Sequence, residues 1–134
     1  SSLTTTWRSI VSDEKSKNQI ANEAYETLKR YKHITTLQGR EYVTHKGLVW
    51  LAHIKGLQSV DVEMVHSDFE KFLFIFKATV VGERGTYVGH GDASTKSVSK
   101  GILPHLIRMA ETRAVSRALR LYLGVGITSK DEIT

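Results

Sequence analysis

The longest regular pattern in the sequence lies between residues 103 and 124. Apolar residues recur there at the spacing of one helix face, Pro104 stands near the beginning, and Gly124 follows the last periodic residue. Proline is tolerated in a first helical turn and glycine commonly ends a helix, so the pattern predicts one long helix. Its expected buried face comprises Leu103, Ile107, Ala110, Ala114, Ala118 and Leu121.

A second helical pattern extends from about Ser12 to Tyr31. It follows residues 1–11, which we expect to be a loosely ordered lead-in. Ser12 is a suitable N-cap, and the acidic residues at the beginning and basic residues at the end match the helix dipole. The expected buried stripe comprises Ile20, Ala24, Leu28 and Tyr31.

The next segment predicts a short strand and a short helix. Gln38-Gly39 indicates a turn, Arg40 to Thr44 a strand, and Lys46 to Lys55 a helix that ends at Gly56. Trp50 on this helix has two interpretations. It is either a core residue or an exposed ring that is available for stacking.

Residues 60–93 carry three successive strand patterns. In the first, apolar Val60, Val62 and Met64 alternate with polar positions, as in a half-buried strand. The second extends from Phe69 to Val81, and the third, from Thr86 to Ala93, follows a hairpin turn at residues 82–85. The second strand has one apolar face, comprising Phe72, Phe74, Phe76, Ala78 and Val80.

The third strand contains Gly89 and Gly91, and glycine inside a strand indicates a bulge or the close approach of another backbone. The order of elements predicts an α+β fold with a β-β-β-α core, an antiparallel β-meander with a long helix packed on the sheet. An N-terminal helix and a short strand-helix unit precede this core. A chain of 134 residues is expected to form one domain, residues 1–134.

The composition excludes several kinds of site. The chain has no cysteine, which excludes disulfides, thiolate zinc sites and cysteine nucleophiles. Its six histidines lack the spacing that gathers two of them on one metal ion. No apolar run is long enough to span a membrane, and Ser1 to Thr6 lacks the apolar stretch of a signal peptide. We expect an intracellular protein that is not an enzyme and needs neither metal nor cofactor.

The positive charge is confined to one part of the chain. The net charge is +5, and residues 96–120 carry the same excess, with six basic side chains and one acidic. A basic excess on one loop and helix indicates a site for a polyanion, and a solvated helix face is the alternative. The six basic residues are Lys96, Lys100, Arg108, Arg113, Arg117 and Arg120.

The segment Gly91 to Ser97 superficially suggests a loop that binds nucleotide phosphates. The Walker pattern requires glycine immediately before its lysine, so that backbone N–H groups can surround the phosphates. Thr95 occupies that position here, and the helix pattern begins only near Pro104. Nucleotide hydrolysis is therefore not expected.

The charged segment and its surroundings resemble a known family. The segments that carry the resemblance are Tyr87-Val-Gly-His-Gly-Asp-Ala-Ser, a loop rich in serine and lysine, and Ala118-Leu-Arg-Leu-Tyr-Leu-Gly. Upstream, Gly39-Arg-Glu-Tyr-Val-Thr-His-Lys-Gly is similar to that family's first strand and the helix behind it. In order and spacing, residues 38–126 resemble the annealing domain of the Rad fifty-two family of recombination mediators, grouped with phage annealing proteins of the ERF type.

The resemblance implies that the protein binds single-stranded DNA and anneals complementary strands in recombination and repair, without catalysis, as a ring-shaped or helical homo-oligomer. It further implies a recombinase or a single-strand-binding protein as a partner. The implied location is the cytoplasm or nucleoid, or a nucleus or mitochondrion. No membrane is implied.

The resemblance also supplies candidate DNA-binding residues. Two adjacent basic residues commonly precede Ala-Leu-Arg in the family, but Ser116 replaces the first of them here, and we expect Arg113 to compensate. His90 replaces the usual aromatic residue between the two glycines. The expected DNA-binding residues are Arg113, Arg117 and Arg120 on the long helix, Lys96 and Lys100 in the loop, and Lys46 on the short helix.

Two other functions remain open on the sequence. A double-stranded RNA-binding domain has a similar order of elements, but its lysines lie at the beginning of its last helix and it has no counterpart of residues 40–56. A module whose basic face meets an acidic protein partner is the other alternative. The arginines in the second half of the long helix count against the double-stranded RNA-binding domain, and the module for an acidic partner stays open.

Overall fold

A computed structural model describes residues 22–95 and 100–132. It confirms the predicted α+β class, an antiparallel three-stranded sheet followed by a long helix and preceded by a helix and a small two-stranded sheet. The predicted lead-in and the beginning of the predicted first helix lie outside the described residues. The elements are α1 over residues 22–30, β1 (Ile34–Leu37), β2 (Arg40–Val43), α2 (His45–Ile54), β3 (Leu57–Asp68), β4 (Leu73–Gly82), β5 (Gly85–Ser94) and α3 (Leu103–Leu123).

Helix α3 has the predicted bounds, with Pro104 in its first turn and Gly124 as a left-handed C-cap at a φ of 70°. One side of α3 packs on the sheet, and Ser116, Leu119 and Leu123 are buried as well. The prediction that Leu121 is buried was wrong, because its side chain is 55% exposed. Tyr122, one residue later, fills the space over Gly82 and Tyr87 instead.

The sheet has the strand order β3-β4-β5, and all its pairs are antiparallel. The predicted apolar face of the central strand is confirmed, since Phe72, Phe74, Phe76, Ala78 and Val80 are buried. Strand β4 begins at Leu73 rather than at Phe69. The carboxylate of Asp68 accepts hydrogen bonds from the backbone N–H groups of Glu70 and Lys71, and it closes a turn there.

The region before the sheet differs from the prediction in two respects. Strand β1 was not predicted, although the turn at Gln38-Gly39 joins it to β2 in a hairpin. Tyr31 was predicted to be buried and is 56% exposed, because the helix ends at residue 30 and Lys32 turns the chain with a φ of 62°. Ala24 and Leu28 are buried as predicted.

Helix α3 lies unusually close to β5 because neither surface carries a large side chain at the contact. Gly89 and Gly91 face the backbone of α3 at Ala110, Ala114 and Ala118, and a Cβ atom on either glycine would overlap that backbone. Of the two interpretations of these glycines, the close approach of another backbone is therefore the correct one. The contact fixes how far α3 stands from the edge of the sheet.

We expect Gly91→Ala to lower the free energy of unfolding by about 3 kcal/mol, because helix and strand must separate to admit the added methyl group. Gly126→Ala is the matched control, since nothing lies within 4 Å of that position and its φ is not in the left-handed region. Urea denaturation of both variants measures the difference. Equal midpoints for the two variants would show that the close contact is not required.

Candidate nucleic-acid interface

The arginine ridge, defined as Arg113, Arg117 and Arg120 of α3, lies beside the open edge of β5. The register of β5 with β4 leaves the carbonyl groups of His90 and Asp92 on that edge. Arg113 donates from Nη1 to the carbonyl of Asp92 at 2.7 Å, and Arg117 donates from Nη1 to the carbonyl of His90 at 2.8 Å. The close packing of α3 on β5 thus places two guanidinium groups against the strand edge and fixes their positions.

A carboxylate from the end of the described chain also contacts the ridge. Glu132 is 6% exposed and lies in the short 3-10 turn Lys130–Glu132. Its carboxylate accepts hydrogen bonds from Arg120 Nη2 and from the backbone N–H of Ser129, both at 2.6 Å. Arg117 Nε lies 3.3 Å from the same carboxylate, so Glu132 bridges two of the three arginines.

The ridge is less positive than the sequence indicated. The count over residues 96–120 omits both Glu132 and Asp92, whose carboxylate lies 3.8 Å from Arg117 Nη1. Folding therefore sets two carboxylates beside three guanidinium groups. The ridge remains partly accessible, because the side chain of Arg117 is 40% exposed and that of Arg120 is 22% exposed.

Helix α2, which carries Lys46, contacts α3 through its first turn. The side chain of His45, in the first turn of α2, lies 2.7 Å from the hydroxyl of Ser116, measured from Nδ1 to Oγ. Ser116 is completely buried on α3, within one helical turn of each ridge arginine. Lys46 follows His45 directly and is exposed, so it lies one residue from a contact between α2 and α3.

Ser116 is completely buried and makes a polar contact between two helices. A long basic side chain at this position would have to displace the contact with His45. Ser116 joins α2 to α3 instead of presenting a charge.

The two loop lysines are not brought to the ridge by any described contact. Lys96 lies outside the described residues, and Lys100 is in the 3-10 turn Lys100–Ile102 directly before α3. At a rise of 1.5 Å per residue, Lys100 is about 20 Å along the helix axis from Arg113. The candidate interface therefore comprises the arginine ridge and Lys46.

Sequence reasoning missed Asp92, Glu132 and the contact between His45 and Ser116. Asp92 and His45 lie before α3, on other elements, and Glu132 follows α3 in a segment with no predicted element. In residues 22–95 and 100–132, no cluster of histidine, aspartate or glutamate side chains could hold a metal ion. Within the same part of the chain, no helix combines the length and apolar character needed to cross a membrane.

Comparisons with protein-family models, with curated proteins and with solved structures give no match to this chain. The resemblance to annealing proteins therefore rests only on the segments quoted above.

We expect Arg120→Ala to destabilise the fold by about 2 kcal/mol, because it removes the nearest cation from a buried carboxylate. Adding Glu132→Gln should recover part of that loss, since the remaining amide carries no charge. Arg113→Ala is the control and should cost less than about 1 kcal/mol, because water can replace its bond to a carbonyl at the sheet edge. Chemical denaturation measures these variants and Glu132→Gln alone. Strictly additive losses for Arg120→Ala and Glu132→Gln would contradict the pairing.

Proposed function

We propose that this protein binds single-stranded DNA along the arginine ridge and Lys46 and anneals complementary strands without an enzymatic step. The observation that carries the proposal is the anchoring of Arg113 and Arg117 on backbone carbonyls of β5. A guanidinium group held in this way loses little conformational entropy when it binds a phosphate. Its planar set of N–H donors also matches the geometry of phosphate oxygens.

Contacts of this kind recognise the backbone rather than the bases. Binding would therefore tolerate any sequence and weaken steeply as the salt concentration rises. Neutralising the phosphates of one strand also reduces the repulsion that opposes the approach of its complement. The protein then needs only to hold strands in position, which is consistent with non-enzymatic annealing.

The two carboxylates beside the ridge limit the net charge that one copy offers. A single copy would therefore bind weakly, and several copies on one strand would supply the missing affinity. This argument supports assembly into a homo-oligomer as part of the proposal. The mass of the protein in solution, measured by light scattering with and without a single strand, distinguishes an assembly from a monomer.

The two edges of the sheet are unequal candidates for contacts between copies. The ridge arginines already bind outward carbonyls of β5, whereas β3 pairs only with β4 among the described residues. Val60 and Met64 on β3 are 38% and 41% exposed, so the prediction that they form the buried face of a half-buried strand was wrong. An open edge with exposed apolar side chains is a common site of strand pairing between chains, so β3 is the favoured edge.

We expect Lys46→Ala combined with Arg113→Ala to weaken binding to a fluorescent oligo(dT) at low salt. Both substitutions leave the pairs of Glu132 intact, so the fold should be retained. The slope of log affinity against log salt should fall by about 1.4, because the variant lacks two phosphate contacts and each contact on a single strand contributes about 0.7. Fluorescence anisotropy over a salt series measures both quantities.

Lys71→Ala is the matched control, because Lys71 is an exposed lysine in the turn before β4, in a different part of the sequence from both helices. Its affinity and salt slope should equal those of the unaltered protein. Equal losses in the control and in the double variant would contradict the assignment of the interface. Tighter binding to duplex RNA than to oligo(dT) would favour the alternative of a double-stranded RNA-binding domain.

A further inference from the structure

A cluster of aromatic rings lies at the junction of α1 and α2. The aromatic cluster is defined as Tyr31, His33 and Trp50. The ring centroids of Tyr31 and Trp50 are 5.0 Å apart, and those of His33 and Trp50 are 5.2 Å apart. Tyr31 is 56% exposed, whereas His33 and Trp50 are half-buried. The cluster thus presents one open ring, Tyr31, which contacts Trp50, and Trp50 in turn contacts His33.

The local sequence holds this arrangement in place. Gly47 of α2 lacks a side chain, and a Cβ atom there would overlap the ring of His33, so only glycine lets that ring lie against the helix. The hydroxyl of Tyr25 donates to the carboxylate of Glu41 at 2.8 Å and joins α1 to β2. This hydrogen bond to a carboxylate raises the pKa of Tyr25 above its ordinary value. The cluster is therefore formed before any ligand arrives.

The residues on either side of Tyr31 in the sequence are basic. The run Lys29-Arg30-Tyr31-Lys32-His33 contains three cations and no acidic residue, and these three cations are exposed. Cations at the end of a helix also offset its dipole. That effect does not account for a large exposed ring in the middle of the run. An exposed aromatic ring with cations beside it in the chain is a combination with which proteins hold single-stranded nucleic acid.

The aromatic cluster is continuous with the candidate interface along α2. At 100° per residue, Lys46 and Trp50 lie about 40° apart on the outer face of that helix. His45, next to Lys46, contacts Ser116 beside the arginine ridge. From His45 to Trp50 the helix rises about 7.5 Å, which is about two nucleotides at the 3.4 Å spacing of one strand in a duplex. A strand that follows α2 from His45 to Trp50 would therefore cover this length with about two nucleotides.

From this continuity we infer that the aromatic cluster is a stacking site for an unpaired nucleobase. Tyr31 supplies the open ring, and Arg30, Lys32 and Lys46 bind the phosphates on either side of the base. The inference rests on the proposed function and adds base stacking to it. An acidic protein segment would use the cations but not the flat ring, and a sugar would use the ring but not the cations, so single-stranded nucleic acid is the occupant that the ring and the charges together favour.

The first test uses the fluorescence of Trp50. The chain has two tryptophans, so Trp7→Phe leaves Trp50 as the only one. Titration with oligo(dT) should quench this fluorescence to saturation, because a stacked base lies against the cluster. An abasic oligonucleotide of the same length, which has phosphates but no bases, should produce no such quenching. Equal quenching by the two, or quenching by neither, would overturn the inference.

The second test separates stacking from phosphate binding. Tyr31→Ala should weaken the binding of oligo(dT) about tenfold, a typical loss for one base–aromatic contact, and leave the binding of the abasic oligonucleotide unchanged. Tyr31→Phe, which keeps the ring, should bind as the unaltered protein does. Phe69→Ala is the control for removal of an exposed aromatic ring, since Phe69 is 59% exposed. It should have no effect on either ligand.

The outcomes distinguish this inference from the proposed function. The variant that combines Lys46→Ala with Arg113→Ala should bind both oligonucleotides more weakly, because it lacks phosphate contacts. If that variant binds more weakly and the Tyr31→Ala variant binds oligo(dT) as the unaltered protein does, the stacking site is refuted and the proposed function stands. If the unaltered protein binds neither oligonucleotide, both proposals fail.

Discussion

The contact between the glycines of β5 and the alanines of α3 determines most of the structure around it. Without side chains at Gly89 and Gly91, the helix settles directly onto the strand backbone. At this short distance, arginines on one flank of α3 reach past the strand to the carbonyl groups on its open edge. The same residues that close the core therefore also orient the basic surface.

Helix α2 extends that surface and depends on the same arrangement. Its first turn contacts α3 through His45 and Ser116, and its outer face carries Lys46 and Trp50. At its other end, the carbonyl of Lys55 accepts a hydrogen bond of 2.8 Å from the hydroxyl of Tyr122. Two polar contacts thus hold α2 along α3, and they set the spacing between the arginine ridge and the aromatic cluster.

The sequence was sufficient for features that depend on neighbouring residues. The bounds of α3 follow from Pro104 and Gly124, and the buried face of β4 follows from its alternation. It was insufficient where a distant segment decides the outcome. Strand β1 is too short and too polar to produce a pattern, and Leu121 is exposed because Tyr122 occupies the space over the sheet.

The candidate site was only partly predictable for the same reason. The grouping of Arg113, Arg117 and Arg120 follows from helical spacing, since all three lie on one element. The carboxylates of Asp92 and Glu132 reach the ridge only when strand and terminal turn fold against α3, so a charge count along the sequence overstates the positive charge. The exposure of Tyr31 likewise depends on the point at which α1 ends.

The central claim is that a single strand lies along α3 and α2, and photocrosslinking tests it most directly. An oligonucleotide containing bromodeoxyuridine is bound, irradiated and digested with the protein, and the crosslinked peptides are identified by mass spectrometry. We expect crosslinks in the peptides that contain Tyr31, Trp50 and the arginine ridge. Crosslinks confined to β3 or to the turn at Phe69 would contradict the claim, because they would place the strand on a different surface.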